Sequence, residues 1–412
     1  MAADPTGHRT QDRILVVGAG QAGAVVAERL RALGHVGPLT LAGDEPAPPY
    51  QRPPLSKKYL TGEMARDRLF LRPEAFYHDN GITLRTGAPV TAIDRAARTA
   101  TVGDETLHWD RLVLATGAAP RRLPAALGGA LAGVHVMRDL ADADAMAADF
   151  VAGRRLLVVG GGYIGLEAAA VAAARGLKVT LLEAAPRILA RVACAETAAW
   201  FRALHAAHGV EILEGTPLAR LTGEGRVTGA EVPGGRHIPC DLAVVGIGVA
   251  PRVALAEAAG LTLADGIAVD ALGRTSDPAI WAAGDCASFP HGDGRLRLES
   301  VQSAIDMAGA VAANMMGAGV PYAPLPWFWS DQFDAKLQIA GLGAGADRIV
   351  VRDTGVGGRS HWYFAGPRLI SVDAMNDARA YMVGKRLIEA GLSPDPTLLG
   401  DPATDIKALL RA

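Results

Sequence analysis

Residues 13–33 read RILVVGAGQAGAVVAERLRAL and predict a buried strand, a glycine turn and a helix in immediate succession. The apolar run 14–17 stops at Gly18, and good helix formers follow from Ala22 until the helix stop expected near residue 34. Gly18, Gly20 and Gly23 have the spacing GxGxxG. This spacing allows a tight turn, close approach of a pyrophosphate to the backbone, and close packing of the helix on the strand.

An acidic strand end completes this unit. Residues 39–42 predict a second strand that leads to Asp44 and Glu45, about twenty residues after the glycines, where a carboxylate can bind a ribose. An isolated GxGxxG would also fit an ordinary glycine-rich turn. Here strand, helix and acid all stand where a dinucleotide requires them, so the stretch predicts a dinucleotide-binding site.

The same pattern returns at residue 155. An apolar run, 156–159, precedes GGGYIGLE, in which Gly160, Gly162 and Gly165 repeat the GxGxxG spacing. A helix follows, and the next strand ends at Glu183. Because one such unit binds one dinucleotide, two units indicate two different dinucleotides, for which FAD and a nicotinamide nucleotide are the usual pair.

Glu183 favours NADH over NADPH. A carboxylate at this strand end accepts hydrogen bonds from both ribose hydroxyls and repels a 2′-phosphate. Ala184, Ala185 and Pro186 follow directly, so no arginine stands at once beside the site, although Arg187 lies near.

Composition narrows the function class. The 412 residues suggest about three domains, and the content of 50% hydrophobic residues and 49 glycines is typical of an α/β protein. A net charge of −2 gives no basic field for nucleic acid. No segment resembles a signal peptide or membrane helix, and we expect a cytoplasmic protein, monomeric or weakly dimeric. The cysteines at 194, 240 and 286 form no CxxC pair, which argues against a disulfide framework or a cysteine metal site, and we expect no metal.

The remaining segments predict loops, strands and a third domain. Five prolines within 43–58 predict a fixed extended loop without helix, in which Arg52, Lys57 and Lys58 could clamp a pyrophosphate. Residues 238–249 predict one further strand. After the linker PYAPLP, residues 336–373 predict four strands and 378–390 a helix. The predicted domains are an FAD-binding domain (1–117 and 248–322), an NAD-binding domain (118–247) and a small C-terminal α+β domain (323–412).

These motifs together resemble those of a known family. GAGQAG at 18–23, YQRPPLSK at 50–57, LATG at 114–117, GGGYIGLE at 160–167, GDCA at 284–287 and PWFWSDQ at 326–332 are similar to the motifs of NADH-dependent ferredoxin reductases of putidaredoxin-reductase type. These are FAD-dependent pyridine nucleotide oxidoreductases of the glutathione-reductase superfamily. The resemblance implies an α/β fold with two Rossmann-like domains and a C-terminal α+β domain. It also implies FAD and NADH as cofactors and a 2Fe-2S ferredoxin as partner, serving a cytochrome monooxygenase or a ring-hydroxylating dioxygenase.

The resemblance also implies site residues. It pairs Lys57 with Glu167 beside the flavin and the nicotinamide and places Trp329 near the flavin. For Lys57 a loop clamp, for Glu167 a first-turn helix acid, and for Trp329 a core aromatic are the alternatives. The expected cofactor-binding residues, including Lys57, are Gly18, Gly20, Ala22, Gly23, Asp44, Arg52, Val90, Ala115, Thr116, Gly117, Arg138, Gly160, Gly162, Tyr163, Ile164, Gly165, Glu183, Gly248, Asp285 and Val301. Taken alone, Asp285 would be interpreted as a helix N-cap or turn aspartate rather than as a cofactor ligand.

Two other classes share parts of this pattern. Disulfide reductases need a redox cysteine after the first unit, where this chain has PPLSK, so we reject them. Apoptosis-inducing-factor-like flavoproteins, with a binding or signalling role, carry a similar proline loop, but they would call for a targeting segment and a basic nucleic-acid face. An acidic ferredoxin would need local positive charge, for which the candidates are Arg66, Arg68, Arg72, Arg295 and Arg297.

Overall fold

The protein is described by a computed structural model over residues 11–355 and 358–411. The chain forms two compact units. The first comprises the described residues of 1–52, 65–119 and 249–324, and the second those of 53–64, 120–248 and 325–412. Each unit is described by itself below.

The strands are, in chain order, β1 (Ile14–Val17), β2 (Leu39–Ala42), β3 (Ile82–Arg85), β4 (Val90–Asp94), β5 (Thr99–Val102), β6 (Glu105–His108), β7 (Arg111–Leu114), β8 (Ala118–Pro120), β9 (Val134–His135), β10 (Arg155–Val159), β11 (Lys178–Leu182), β12 (Glu211–Leu213), β13 (Arg220–Thr222), β14 (Gly229–Glu231), β15 (His237–Pro239), β16 (Leu242–Val245), β17 (Val249–Pro251), β18 (Ile267–Ala268), β19 (Ile280–Ala282), β20 (Ala287–His291), β21 (Gly294–Leu296), β22 (Trp327–Gln332), β23 (Ala335–Gly341), β24 (Arg348–Asp353), β25 (Arg359–Ala365) and β26 (Arg368–Met375).

The α-helices are α1 (Gln21–Ala32), α2 (Glu74–Asp79), α3 (Leu140–Ala147), α4 (Tyr163–Ala174), α5 (Ala195–Ala207), α6 (Ala254–Ala258), α7 (Val301–Met315), α8 (Ala378–Glu389) and α9 (Pro396–Gly400). Short 3₁₀ helices are Pro53–Ser56, Arg66–Leu69, Ala125–Leu127 and Ala408–Arg411. Of the helices in the described ranges, none combines the length and apolar character needed to span a bilayer.

The first unit is built on a parallel sheet with the strand order β19-β7-β1-β2-β3. Strands β1 and β7, in the middle of the sheet, are buried on both faces, which is why they read as continuous apolar runs. Helices α1 and α7 contribute buried residues to the same core as Val16, Leu41 and Trp281. Parallel pairing places the carboxyl ends of β1, β2, β7 and β19 at one edge of the sheet, where ligands of open parallel α/β sheets bind.

The second unit contains a parallel sheet of the same kind, with the order β12-β11-β10-β16-β9. It also contains the antiparallel sheet β22-β23-β26-β25-β24, against which α8 packs. The core of the parallel sheet and residues Ala335, Leu337 and Met375 of the antiparallel sheet form one apolar cluster. The predicted fold class is therefore confirmed.

Two local predictions are wrong. Residues 238–249 do not form one strand but parts of β15, β16 and β17. Asp241 interrupts the run because its carboxylate accepts a 2.8 Å hydrogen bond from the N–H of Arg155 and binds that arginine's guanidinium. The proline loop is not entirely extended, since Pro53–Ser56 forms a 3₁₀ turn. The fixed φ of proline suits such a turn.

Candidate functional site

The first glycine turn has room for a ligand at one defined point. Gly18 adopts a φ of +109°, and a Cβ added there would collide with the carbonyl oxygen of Ala115 at the end of β7. A Cβ at Gly23 would collide with the carbonyl oxygen of Gly18, so only glycine lets α1 pack on the turn. A Cβ at Gly20 would meet nothing within 4 Å. The backbone is therefore closed at the first and third glycines and open at the second.

The second glycine turn repeats this geometry. Gly160 has a φ of +110°, and a Cβ there would collide with the carbonyl oxygen of Gly246 after β16. A Cβ at Gly165 would collide with the carbonyl oxygen of Gly160, whereas a Cβ at Gly162 would again meet nothing within 4 Å. Both turns thus leave open backbone where a pyrophosphate would approach, so the residues present fit a dinucleotide in each unit.

The two helices that follow are ready to receive negative charge. Gly20 and Gly162 are the N-cap residues of α1 and α4, and neither has a side chain that could cap the helix. Neither helix has an acidic residue in its first turn. The free N–H groups and the positive dipole end therefore face the open side of each turn, as anion binding requires.

The acids of the first unit have partners within that unit. Asp44 forms an ion pair with Arg252, with 2.8 Å between Nη1 and Oδ2. Arg52 lies 2.5 Å from Oε1 of Glu45, and its guanidinium lies over the ring of Tyr50. Arg52, predicted to clamp a pyrophosphate, is therefore held by the neighbouring strand-end acid.

The remaining residues predicted to bind FAD lie after strand β7, in the turn after β19, and at the starts of β4 and α7. Ala115, Thr116 and Gly117 follow β7, and the Thr116 hydroxyl donates to the carbonyl of Arg252 at 2.6 Å. Asp285 lies in the turn between β19 and β20 rather than at a helix N-cap. The adjacent Gly284 is so close to Ala22 that a Cβ on it would lie 3.0 Å from that side chain. Val301 is the first residue of α7, and the half-buried Val90 begins β4.

Glu183 bridges the second turn and its own strand end. Its Oε2 accepts a 2.7 Å hydrogen bond from the N–H of Gly161, and its Oε1 accepts one of 2.7 Å from the N–H of Ala185. These two bonds fix the carboxylate beside the open Gly162, where a ribose would follow the pyrophosphate.

Arg187 is bound within its own loop. Its guanidinium donates to the carbonyl oxygens of Ala193 at 2.8 Å, of Ile188 and Cys194 at 3.4 Å each, and of Ala190 at 3.4 Å. Because four carbonyl oxygens accept hydrogen bonds from this guanidinium, Arg187 has a structural role in its loop. The sequence alone did not reveal this role.

Lys57 and Glu167 meet, as the resemblance implies. Nζ of Lys57 lies 3.1 Å from Oε1 of Glu167, whose side chain is only 6% exposed. Two further donors reach the same carboxylate. The Ser330 hydroxyl donates to Oε1 at 2.7 Å, and the Ser56 hydroxyl donates to Oε2 at 3.1 Å. Glu167 is the fifth residue of α4, whose first turn holds no acid, so its interpretation as a first-turn helix acid is wrong.

Strand β22 directs alternate side chains to opposite faces. Phe328, Ser330 and Gln332 share one face, and the Phe328 ring lies 4.6 Å from that of Tyr163 at the start of α4. Trp329 lies on the other face, its ring 5.7 Å from that of Trp327. The strand therefore presents Ser330 to Glu167 and turns Trp329 away from it.

The other predicted residues of the second unit lie near strand ends and helix starts. Ile164 is 45% exposed in the first turn of α4. The carbonyl of Gly248 accepts from the N–H of Arg121 at 2.9 Å. The half-buried Arg138 precedes Asp139, the N-cap of α3, and its own N–H donates to Asp142 at 3.0 Å. Burial of Asp142 raises the pKa of its carboxyl above the ordinary value.

Three of the five arginines predicted to bind a protein partner are held by groups of this chain. Arg295 donates to the carbonyl oxygens of Val269 and Ser288, and Arg297, only 10% exposed, pairs with Glu299 at 2.6 Å. Arg72 pairs with Glu28 at 3.2 Å. Arg66 and Arg68 are exposed on the 3₁₀ helix Arg66–Leu69. Local partners thus account for three of the five arginines.

Sequence reasoning missed Ser56 and Ser330 as partners of Glu167. Both serines stood inside quoted motifs, PPLSK and WFWSDQ, but neither was assigned a role. The two-residue period of a strand was the available signal, because a strand over WFWSDQ places Ser330 on the same face as Phe328. Within the described ranges, no group of three or more His, Cys, Asp or Glu side chains could hold a metal ion.

Two family models match the chain. Residues 12–308 match pyridine nucleotide-disulphide oxidoreductase, and residues 327–410 match the reductase C-terminal model. The chain is 42% identical to rhodocoxin reductase of Rhodococcus erythropolis, over 96% of this chain and 93% of that protein. It is 40% identical to putidaredoxin reductase of Pseudomonas putida, over 97% of each.

The structure is similar to a solved one. The crystal structure of a covalent putidaredoxin reductase–putidaredoxin complex matches with a TM-score of 0.93 and 39% identity, over 97% of this chain and 98% of that one. The resemblance inferred from the motifs is thereby confirmed, and the chain belongs to the pyridine nucleotide-disulphide oxidoreductase family, as a ferredoxin-reductase-type flavoprotein that uses FAD and NAD(H).

Proposed function

We propose that this protein takes a hydride from NADH onto FAD and passes single electrons to a 2Fe-2S ferredoxin. The ferredoxin would serve a cytochrome monooxygenase or a ring-hydroxylating dioxygenase. Relatives named as rhodocoxin reductase, putidaredoxin reductase and the reductase component of an anthranilate 1,2-dioxygenase system support this assignment. Each of them is aligned over at least 96% of this chain.

For FAD we propose the first turn. FAD supplies the chemistry that joins a two-electron donor to a one-electron acceptor. The open backbone at Gly20 and the uncapped start of α1 would hold its pyrophosphate, and Asp44 would bind the ribose. Asp285, in the turn against Ala22, would hold the polyol chain, and Val301 would contact the isoalloxazine edge.

For NADH we propose the second turn, with Glu183 as the selective residue. Its two oxygens are fixed by the N–H groups of Gly161 and Ala185 and keep lone pairs for ribose hydroxyls. A 2′-phosphate would meet this carboxylate without a compensating cation, because the carbonyl oxygens of residues 188, 190, 193 and 194 hold Arg187. Two effects of Glu183 thus favour NADH over NADPH: its hydrogen bonds to the ribose hydroxyls and its repulsion of a 2′-phosphate.

Lys57 and Glu167 would act on the transfer itself. A buried carboxylate needs charge and hydrogen-bond partners, and Glu167 has an ammonium and two hydroxyls. We infer that the pair orients the nicotinamide amide and stabilises negative charge that forms on the reduced flavin. Trp329 would lie near the flavin on the opposite face of β22.

The domain bounds 1–117 with 248–322, 118–247 and 323–412, a cytoplasmic location, and a monomeric or weakly dimeric state belong to the same proposal. Three buried free cysteines are compatible with a reducing compartment.

The observation that carries the proposal is the repeated turn geometry, closed at the first and third glycines and open at the second. The test mixes the holoprotein anaerobically with NADH and follows flavin bleaching. A 2Fe-2S ferredoxin and cytochrome c are then added. Rapid bleaching and ferredoxin-dependent cytochrome reduction are expected. Bleaching without any electron transfer to the ferredoxin would instead favour the binding or signalling flavoprotein.

A further inference from the structure

A series of hydrogen bonds between buried polar side chains ends at the Glu167 carboxylate. Its Oε1 accepts the Ser330 hydroxyl at 2.7 Å, the Ser330 oxygen lies 3.1 Å from Nε2 of Gln332, and Oε1 of Gln332 lies 2.8 Å from Nε2 of His205. These four residues are each at most 4% exposed, counted over the whole residue. The last two residues have no part in the cofactor site proposed above.

The donors in this series of hydrogen bonds can point only one way. The Ser330 hydroxyl gives its hydrogen to the carboxylate, so its oxygen must accept from the Gln332 amide N–H. The amide oxygen then faces His205, whose Nε2 must carry the ring proton. Burial lowers the pKa of His205 and so favours the neutral imidazole, whose tautomer the bond to Gln332 sets. Each donor polarises the next, so the last hydrogen bond, at Glu167, is strengthened.

Three separate segments hold these side chains in place. Glu167 is on α4, His205 is in the last turn of α5, and Ser330 and Gln332 are two residues apart on β22. Phe328 continues the same face of β22 onto Tyr163, one helical turn before Glu167. Two contacts between α4 and β22 thus fix the register of the strand against the helix.

We propose that Ser330, Gln332 and His205 are positioning residues that hold the Glu167 carboxylate, and through it the Lys57 ammonium, in the geometry for hydride transfer. This rests on the proposed role of the Lys57–Glu167 pair. Without Ser330, one lone pair of Oε1 loses its donor in a dry environment, and the carboxylate can rotate away from Lys57. The effect belongs to the transfer step because the ribose and the pyrophosphate are bound elsewhere.

The test compares Ser330→Ala, Ser330→Thr and Ser371→Ala in stopped-flow reduction of the FAD holoprotein by NADH. Ser371 is the matched control, because it is a buried serine in the same sheet whose hydroxyl donates to the carbonyl of Ala340 at 2.9 Å. We expect the limiting rate to fall about tenfold in Ser330→Ala with the NADH Kd changed less than twofold, and threonine to restore most of the rate. Unchanged limiting rates in Ser330→Ala would overturn the proposal.

A double-mutant cycle separates positioning from general destabilisation. In the Glu167→Gln background, adding Ser330→Ala should change the limiting rate by less than about twofold, because the group it positions is already altered. Losses that multiply would overturn the proposal. If Ser330→Ala does not retain FAD, Gln332→Met, which leaves Ser330 intact, replaces it in the cycle. Gln332→Met alone should lower the limiting rate about threefold in the wild-type background. An unchanged limiting rate in Gln332→Met would count against the proposal. Failure of NADH to bleach the wild type would instead refute the proposed function.

Discussion

The N–H of Gly161, inside the second glycine turn, donates a 2.7 Å hydrogen bond to Glu183 at the end of the next strand. The residue that we propose selects the nucleotide is thereby fixed to the loop that we propose holds its phosphates. Alignment of β10 and β11 as parallel neighbours brings the two together.

Replacing Glu183 tests this relationship. Glu183→Ala should lower kcat/KM for NADH about tenfold and leave NADPH poor, because Arg187 stays bound to loop carbonyls. Adding Ala184→Arg should raise kcat/KM for NADPH about tenfold by supplying a cation. Glu214→Ala is the control, since it removes a bond to Ile188 in the same loop. Equal efficiency of the two nucleotides in the wild type would contradict the assignment.

Lys57 should matter for the rate and little for binding. Lys57→Met removes the charge 3.1 Å from Glu167 and should slow flavin reduction about 100-fold, with the NADH Kd changed less than about threefold. The neighbouring Lys58 is exposed, and Lys58→Met is the matched control. Stopped-flow reduction over a range of NADH concentrations separates the two constants. Equal rates in both variants would return Lys57 to the role of a loop clamp.

The two open glycines should respond to alanine separately. Gly20→Ala adds a methyl group where a pyrophosphate would approach in the first unit, and Gly162→Ala does so in the second. The first should lower FAD content, and the second should retain FAD but weaken NADH binding about tenfold. Gly309→Ala, in open space on α7, should retain both. Normal FAD content and NADH affinity in both variants would show that phosphates bind elsewhere.

A buried cluster in the second unit should give stability a characteristic pH dependence. The Thr197 hydroxyl donates to Asp373 and lies 2.7 Å from Nδ1 of His361. Burial raises the pKa of Asp373 to about 6, so its contribution to stability falls as pH rises from its unfolded value near 3.8 to about 6. Burial lowers the pKa of His361 to about 4, so its contribution rises with pH from about 4 towards 6.5.

These opposite contributions should separate in single variants. The Tm of Asp373→Asn, relative to that of the wild type, should increase from pH 4 to pH 6. The reason is that the wild type loses the stability contributed by Asp373 over this range and the variant does not. The relative Tm of His361→Gln should decrease over the same range. Ser371→Ala introduces no titrating change and should give a constant difference. Parallel curves for all three variants would contradict these pKa directions.

Salt should slow electron transfer to a ferredoxin if exposed arginines steer it. Arg66→Ala with Arg68→Ala should weaken the salt dependence of ferredoxin-mediated cytochrome c reduction, because rim charges act over about 10 Å at 0.1 M salt. Arg236→Ala, an exposed arginine paired with Glu211, is the control. Ferricyanide reduction should not distinguish the variants. If the rate of ferredoxin-mediated reduction in the wild type did not depend on salt, the interface would be mainly apolar. The surface around Trp329 would then be the next candidate.

The sequence by itself determined the two nucleotide units. The information in a glycine turn is largely local: the third glycine of each motif meets the carbonyl of the first, and the acid follows on the next strand. Residue spacing within about thirty positions therefore predicts strand, turn, helix and acid together. The Lys57–Glu167 pair was reached only through resemblance, since 57 and 167 share no local pattern.

Only the tertiary structure decided which side chains complete the site. Ser330 lies 163 positions from Glu167 in sequence, and Gln332 lies 127 from His205. No periodicity extends across such distances, because helix and strand repeats relate only near neighbours. The same limit explains why the sequence suggested that Arg187 could reach a nucleotide and that Arg295 and Arg297 could bind a protein partner. A sequence shows the charge of an arginine, but only folding brings together the carbonyls and carboxylates that bind it.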